Sequence, residues 1–290
     1  MAARPPGPRR APARGRAAAA PRRRAPRDSP RSELVGRLLV AIPAIAYAIT
    51  IIAVGDIWFA LGILPLAIIA AGELFDLYAD AEPVRLAGFI GVIAVILAAF
   101  FGEGFHVMLA LLAFFPVLFA TALAQRRSGT LGMAITTFGV VWIGVTLAHG
   151  VLLRELPHGG GIIVDILVGT FVGDSGAYIG GRWFGQRKLA PSVSPNKTVE
   201  GLLIGMVCAV LATWMAGLYQ EWLSGTDALL LGLAVALAAP LGDLFESFIK
   251  RDAGTKDTGR LFGPHGGALD RLDAVLFTAV VGYYVWLLLL

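Results

Sequence analysis

Cysteine is almost absent: Cys208 is the only one in 290 residues, so neither a disulfide framework nor a cysteine-based metal site is available. Cys208 lies in an apolar run and reads as a packing residue. Charge is scarce as well. Only 15% of residues are charged against 57% hydrophobic, with a mean hydropathy of +0.75, which excludes a water-soluble globule. His106, His149, His158 and His265 are scattered, without the spacing of helical zinc proteases, and the GxxxxGK[ST] phosphate loop of soluble nucleotide hydrolases does not occur. No internal repeat is evident, which weakens a transporter reading, since many transporters are built from repeated halves.

The formal charge of +4 would fit a nucleic-acid binder only if it were spread over the body of the chain. It is not. Residues 1–33 hold ten Arg against Asp28 and Glu33, a balance of +8, so the remainder carries −4. No basic face for a nucleic-acid backbone is available outside the tail, and nucleic acid is not an expected partner. Residues 1–33, rich in Arg, Pro and Ala, lack the apolar core of a secretory signal and read as a disordered cytoplasmic arm.

What the chain has in abundance is apolar runs of about twenty residues, each long enough as a helix to cross roughly 30 Å of hydrocarbon. Backbone polar groups in lipid must be satisfied internally, so helices are the expected spanning element. The expected fold is an all-α integral membrane protein, a polytopic bundle of about nine spans. They run over residues 34–54, 57–77, 86–101, 105–123, 130–153, 161–181, 199–219, 228–248 and 272–290. Residues 34–160 form an N-terminal set of transmembrane helices. Residues 161–290 form a catalytic set with polar loops 182–198 and 250–270. With the N-terminus in the cytoplasm, the inside loops carry twelve Lys and Arg and the outside loops only Arg154. That asymmetry orients the bundle and puts both polar loops on the cytoplasmic side.

The segment from Ser247 to Asp273, SFIKRDAGTKDTGRLFGPHGGALDRLD, packs nine Lys, Arg and Asp residues plus His265 between two spans. Asp243 and Glu246 lie inside or at the end of the span before it, where an acidic residue at mid-bilayer costs about 2.5–3.5 kcal/mol and less near an interface. Such residues face a cavity or a partner. Asp243, Ser247 and Lys250 share one helical face, and Asp270 and Asp273 stand one turn apart at the start of the last span. Carboxylates beside Lys and Arg suit Mg²⁺ and phosphate better than a soft metal. Gly263, Pro264, His265, Gly266 and Gly267 can form a tight turn whose backbone N–H groups approach an anion.

The string S-x-x-K-R-x4-K-D-x-G-x2-F-G-x-H-G-G-x-L-D-R-L-D resembles the signature of the phosphatidate cytidylyltransferase (CDP-diacylglycerol synthase) family. The one visible departure is Ala268, where the family usually has a larger aliphatic residue. A second segment, GDSGAYIGGRWFGQRKLAPSVSPNKTVEG from Gly173 to Gly201, resembles the family's upstream D-[ST]-x-A-Y and S-P-x-K-T-x-E-G. Together with the span pattern the resemblance covers residues 34–290.

It implies a Mg²⁺-dependent nucleotidyltransferase of phospholipid biosynthesis, with CTP and phosphatidic acid as substrates and CDP-diacylglycerol and pyrophosphate as products. The setting is a bacterial-type inner membrane, among membrane lipids, with the site on the cytoplasmic side. A second cation and a homodimer are compatible with it. Asp243 and Asp270 are the expected metal ligands, with Asp174 and Asp273 as secondary candidates. Lys250, Arg251, Lys256 and Arg271 are the expected phosphate clamps. His265, Gly266 and Gly267 shape the nucleotide loop, and Ser247 and Asp257 lie within it. Ser194, Asn196, Lys197 and Thr198 complete the site from the other loop. Catalysis is expected to rest on Asp243, Asp270, Lys250 and His265.

Blander readings accompany these. Arg251 and Arg260 also fit as inside-facing anchors, Asp257 as a loop cap, and Asp174 as a hydrogen-bonding residue one turn from Tyr178. Glu73, Asp76 and Asp165 have no motif support and read as interfacial or structural. A CTP-dependent polyprenol or phytol kinase is the nearest alternative function, and an ion-coupled transporter using Asp243 and Asp174 a more distant one.

Overall fold

The computed structural model describes residues 30–126, 129–259, 261 and 266–290, with side chains from residue 42 onward. Residues 1–29 of the N-terminal arm, Arg260, Gly263, Pro264 and His265 lie outside the described residues; residues 30–33, expected to belong to the disordered arm, instead open a helix. Two compact units divide the chain after Leu39. Of the first, the described part is the opening of helix α1, Pro30–Val54. The second unit, from Val40 to Leu290, contains all that follows.

Helices α2 (Asp56–Leu77), α3 (Arg85–Phe101) and α4 (Gly104–Gln125) follow. The fifth rod is α5 (Thr130–Gly139) and α6 (Thr146–Glu155), joined through a π-helical turn at Val140–Val145. Then come α7 (Gly159–Phe184), α8 (Val199–Gly217), α9 (Gly225–Asp252) and α10 (Leu269–Leu289). Seven of these rods are long and apolar enough to cross a membrane, while Ile42–Val54 and Arg85–Phe101 are shorter apolar helices. The polytopic all-α expectation holds. One element departs from it: strands β1 (Lys188–Ala190) and β2 (Ser194–Thr198) pair antiparallel between α7 and α8.

Helices α7, α9 and α10 reach three or four residues further than the apolar runs that mark them. Hydropathy stops at the first charged side chain, but backbone hydrogen bonding continues through it. Thus Lys250 and Arg251 occupy the last turn of α9, and Asp270 the first turn of α10.

In lipid the helices gain little from hiding apolar surface, so close approach of small residues replaces it. Gly169, Gly173, Gly176 and Gly180 of α7 meet Thr213, Ala209, Cys208 and Ile204 of α8. Gly201 and Gly205 of α8 return the contact to Gly181 and Ala177. Cys208 is therefore a packing residue, as its apolar setting indicated. The other face of α8 exposes Leu203, Val207, Leu211 and Met215 at four-residue spacing, a stripe suited to acyl chains. Helix α10 packs against α9, α6, α7 and α2. Where it meets α9, Gly242 lies against the backbone of Asp273 and Ala274, which brings the neighbours Asp243 and Asp273 close to one another.

Candidate functional site

Polar side chains from four elements gather at one end of α9 and α10. Helix α9 supplies Asp243, Glu246 and Lys250, three residues that recur at spacings of three and four and so share a face. Lys250 Nζ lies 2.5 Å from Glu246 Oε2 and 2.8 Å from Asp270 Oδ1 of α10. Strand β2 supplies Lys197, whose Nζ is 2.6 Å from Asp243 Oδ2. Asp174 of α7 lies within electrostatic reach of Asp243 and Lys197. Asp273 is within reach of Asp243, Asp174 and Lys250.

The two ion pairs differ in depth. The Lys250 and Asp270 side chains are 13% and 10% exposed, whereas Lys197 and Asp243 are 26% and 33% exposed. Asp174 is exposed. The cluster therefore opens at Asp174 and Asp243, with the Lys197 ammonium itself buried beside Asp243, and closes at Lys250 and Asp270. Five carboxylates against two ammonium groups leave an excess of hard oxygen donors. One of them, Glu246 Oε1, is buried without a hydrogen-bond partner among the described residues. Among the described residues no group of three or more His, Cys, Asp and Glu is arranged to hold a metal ion.

The loop between α9 and α10 is tied down by carboxylates. Asp270 Oδ2 accepts from Thr258 N at 3.0 Å, Thr258 Oγ1 at 2.9 Å and Gly267 N at 2.7 Å. Gly266 has φ +87°, a left-handed value suited to glycine, and a Cβ there would meet the Asp270 carboxylate. Glu73 of α2 accepts from Ala268 N at 3.0 Å and Leu269 N at 2.9 Å. Of the glycine turn, Gly267 presents its N–H to a carboxylate, that of Asp270, while Glu73 takes the two backbone groups that follow the turn, Ala268 N and Leu269 N.

The remaining expected residues take varied places. Arg251 is exposed, and its guanidinium donates to Val193 O (3.1 Å) and Thr255 O (2.9 Å), joining the end of α9 to the β-hairpin. Thr198 is buried, and its hydroxyl accepts from Gly201 N at 3.1 Å as the N-cap of α8. Ser194 pairs with Ala190 across the hairpin, and Ser247 is half-buried on α9. Asn196, Lys256, Asp257 and Arg271 are exposed. Asp76 makes a surface pair with Arg85 at 2.6 Å. Asp165 is buried and accepts from Gln220 at 2.8 Å, outside the cluster.

Three contributors escape a motif-based reading. Glu73 stands almost two hundred residues from its partners. Thr258 fills an unspecified position of the signature. Tyr78, just past α2, donates to Asp252 Oδ2 at 2.9 Å and so joins the ends of α2 and α9. The one available signal was the presence of an acidic Glu73 inside an apolar span, the same signal that singles out Asp243 and Glu246.

The cytidylyltransferase family model matches residues 35–289. The phosphatidate cytidylyltransferase of Staphylococcus epidermidis is 32% identical over 252 residues, 83% of this chain and 94% of the relative. That of Mycobacterium bovis is 36% identical over 157 residues, 54% of this chain and 51% of the relative. That of Synechocystis is 44% identical over 136 residues, 45% of each. The chain spans about half the length of the Mycobacterium relatives it matches. The match to the family model runs through every span and both polar segments, and the chain belongs to the cytidylyltransferase family.

Proposed function

We propose that the protein is a phosphatidate cytidylyltransferase, converting CTP and phosphatidic acid to CDP-diacylglycerol and pyrophosphate. The observation that carries this reading is the convergence of two ammonium groups and several carboxylates, Lys197 with Asp243 and Lys250 with Asp270, where both family-like segments meet. Two phosphate-bearing substrates repel each other, and a site that joins them needs positive charge and oxygen ligands in a fixed frame.

The phosphatidate phosphate is an anion near neutral pH, so one of its oxygens attacks the α-phosphorus of CTP without a protein base. The bond from the α-phosphorus to the bridging oxygen breaks, and pyrophosphate leaves with that electron pair. Lys197, at the open end, meets incoming phosphate. Lys250, deeper, supports the charge on the leaving group. Arg251, Lys256 and Arg271 extend the cationic rim, Gly266 and Gly267 shape the nucleotide loop, and His265, outside the described residues, keeps the role that the family resemblance implies. Ser194, Asn196, Thr198, Ser247 and Asp257 border it.

Mg²⁺ fits this donor set. It takes oxygen ligands, is commonly held by one or two carboxylates and completes its shell with water and substrate phosphate, so a three-residue protein cage is not required. Asp243 would hold it, with Asp174 and Asp273 adjacent; Asp270, whose two oxygens are taken by Lys250, Thr258 and Gly267, would join only by giving up one of those partners. Bound there, it supplies charge neutralisation at the phosphates. The excess of inside-loop Lys and Arg over the single outside Arg154 supports a multi-pass protein of a bacterial inner membrane with this site facing the cytoplasm.

The test uses purified protein in detergent micelles containing phosphatidic acid, Mg²⁺ and CTP, with the lipid product identified by mass. CDP-diacylglycerol is expected. Its absence from an intact, folded preparation overturns the assignment.

A further inference from the structure

The first turn of α10 carries Asp270 yet has no local cap: Ala268, at the N-cap position, offers no side-chain hydrogen bond. Helix N-termini leave backbone N–H groups that need acceptors. Here the acceptor comes from another part of the chain. Glu73, buried on α2, takes Ala268 N on Oε1 and Leu269 N on Oε2, and its negative charge sits where the helix dipole favours one.

The contact is too close to be incidental. A Cβ at either Gly259 or Gly267 would fall into the Glu73 carboxylate. Two separate points of the described loop are therefore pressed onto this one side chain. Thr258 links it to the site: its hydroxyl lies 3.3 Å from Glu73 Oε2 and 2.9 Å from Asp270 Oδ2. A single hydroxyl hydrogen is shared between a carboxylate of the N-terminal helices and one of the catalytic helices.

We propose that Glu73, acting with Thr258, is a positioning residue for Asp270: it fixes the start of α10, and through it the carboxylate that meets Lys250. The inference deepens the cytidylyltransferase reading and rests on it. It gives the N-terminal helices a part in catalysis beyond framing the membrane.

Glu73→Gln keeps the shape but offers one acceptor oxygen to two N–H groups. Hydrogen exchange over residues 266–272 of the detergent-solubilised full chain should rise by about tenfold or more, as one charge-assisted hydrogen bond is lost. Turnover at saturating substrates should fall about 10–100-fold, the usual effect of losing a residue that orients a ligand, with KM for CTP nearly unchanged. Thr258→Val should also lower kcat, and Thr258→Ser, which keeps the hydroxyl, should restore it.

A folded Glu73→Gln protein with wild-type exchange and kcat overturns the proposal, and so does a change confined to KM. Should Glu73→Gln fail to fold, the Thr258 pair decides: equal kcat for Thr258→Val and Thr258→Ser overturns it. Wild-type protein without turnover would instead refute the cytidylyltransferase reading, while the exchange measurement would still report on the cap.

Discussion

Lys250 and Asp270 meet across two helices, Nζ to Oδ1 at 2.8 Å, and the same ammonium touches Glu246 on its own helix. One cation thus serves two carboxylates in a setting where its side chain is only 13% exposed. Removing one partner of a buried pair leaves uncompensated charge and costs about 3–5 kcal/mol. Lys250→Ala should therefore lower the thermal midpoint in detergent sharply as well as abolish turnover. A variant that is inactive yet as stable as wild type would show that Lys250 acts on substrate alone.

Lys197 and Asp243 form the contrasting pair. Their side chains are about twice as exposed or more, and although the Lys197 ammonium itself is buried, its removal leaves Asp243, a third exposed, within reach of water, so the loss falls below the roughly 3–5 kcal/mol of a fully buried pair. Lys197→Ala should unfold closer to the wild-type temperature than Lys250→Ala and still lose most of its activity, chiefly through KM for a phosphate-bearing substrate. A large loss of stability would mark the pair as structural.

Two glycines of the α9–α10 loop should behave oppositely. A Cβ at Gly267 would enter the Glu73 carboxylate, whereas at Gly254, with φ +71°, it would meet nothing. Overpacking costs about 1–3 kcal/mol, and here it would also displace the start of α10, so Gly267→Ala should be inactive. Gly254→Ala bears only the left-handed backbone penalty of about 1–2 kcal/mol and should keep its turnover. Equal activity in both variants would contradict the close packing of the loop.

Tyr78 joins the ends of α2 and α9 through Asp252. Burial, then the hydrogen bond and charge of Asp252, push its hydroxyl up to about 12. A raised value means the contribution is complete below the ordinary tyrosine range near 10 and is lost as pH rises through about 12. Tyr78→Phe should thus cost about 1 kcal/mol equally from pH 6 to 9, checked by thermal unfolding across that range. A loss that varied with pH inside it would contradict the assignment.

The membrane class, the approximate positions of the spans and the pairing of the Asp243 and Asp270 segments were legible because apolar runs and intramembrane carboxylates are properties of the sequence itself. The reach of α9 past Lys250 was not, since helical hydrogen bonds pass through charged residues that hydropathy treats as an end. The hairpin Lys188–Thr198 was missed because a polar loop of that length carries no strand periodicity. Glu73 was visible as an unusual acid within α2, but its partners Ala268 and Leu269 are backbone groups, which no side-chain pattern can announce. The glycine turn was recognised as an anion holder from its backbone freedom. That Gly267 turns its N–H to Asp270 of the chain itself, while α2 brings Glu73 to the next two backbone groups, is a tertiary fact.

The most direct measurement of the central claim is a comparison of CTP labelled at the α-phosphate with CTP labelled at the γ-phosphate, in purified protein with phosphatidic acid and Mg²⁺. A cytidylyltransferase places the α-label in lipid and releases the γ-label as pyrophosphate. Label from the γ-position in lipid, with the α-label left in CDP, would contradict the account and identify a CTP-dependent kinase.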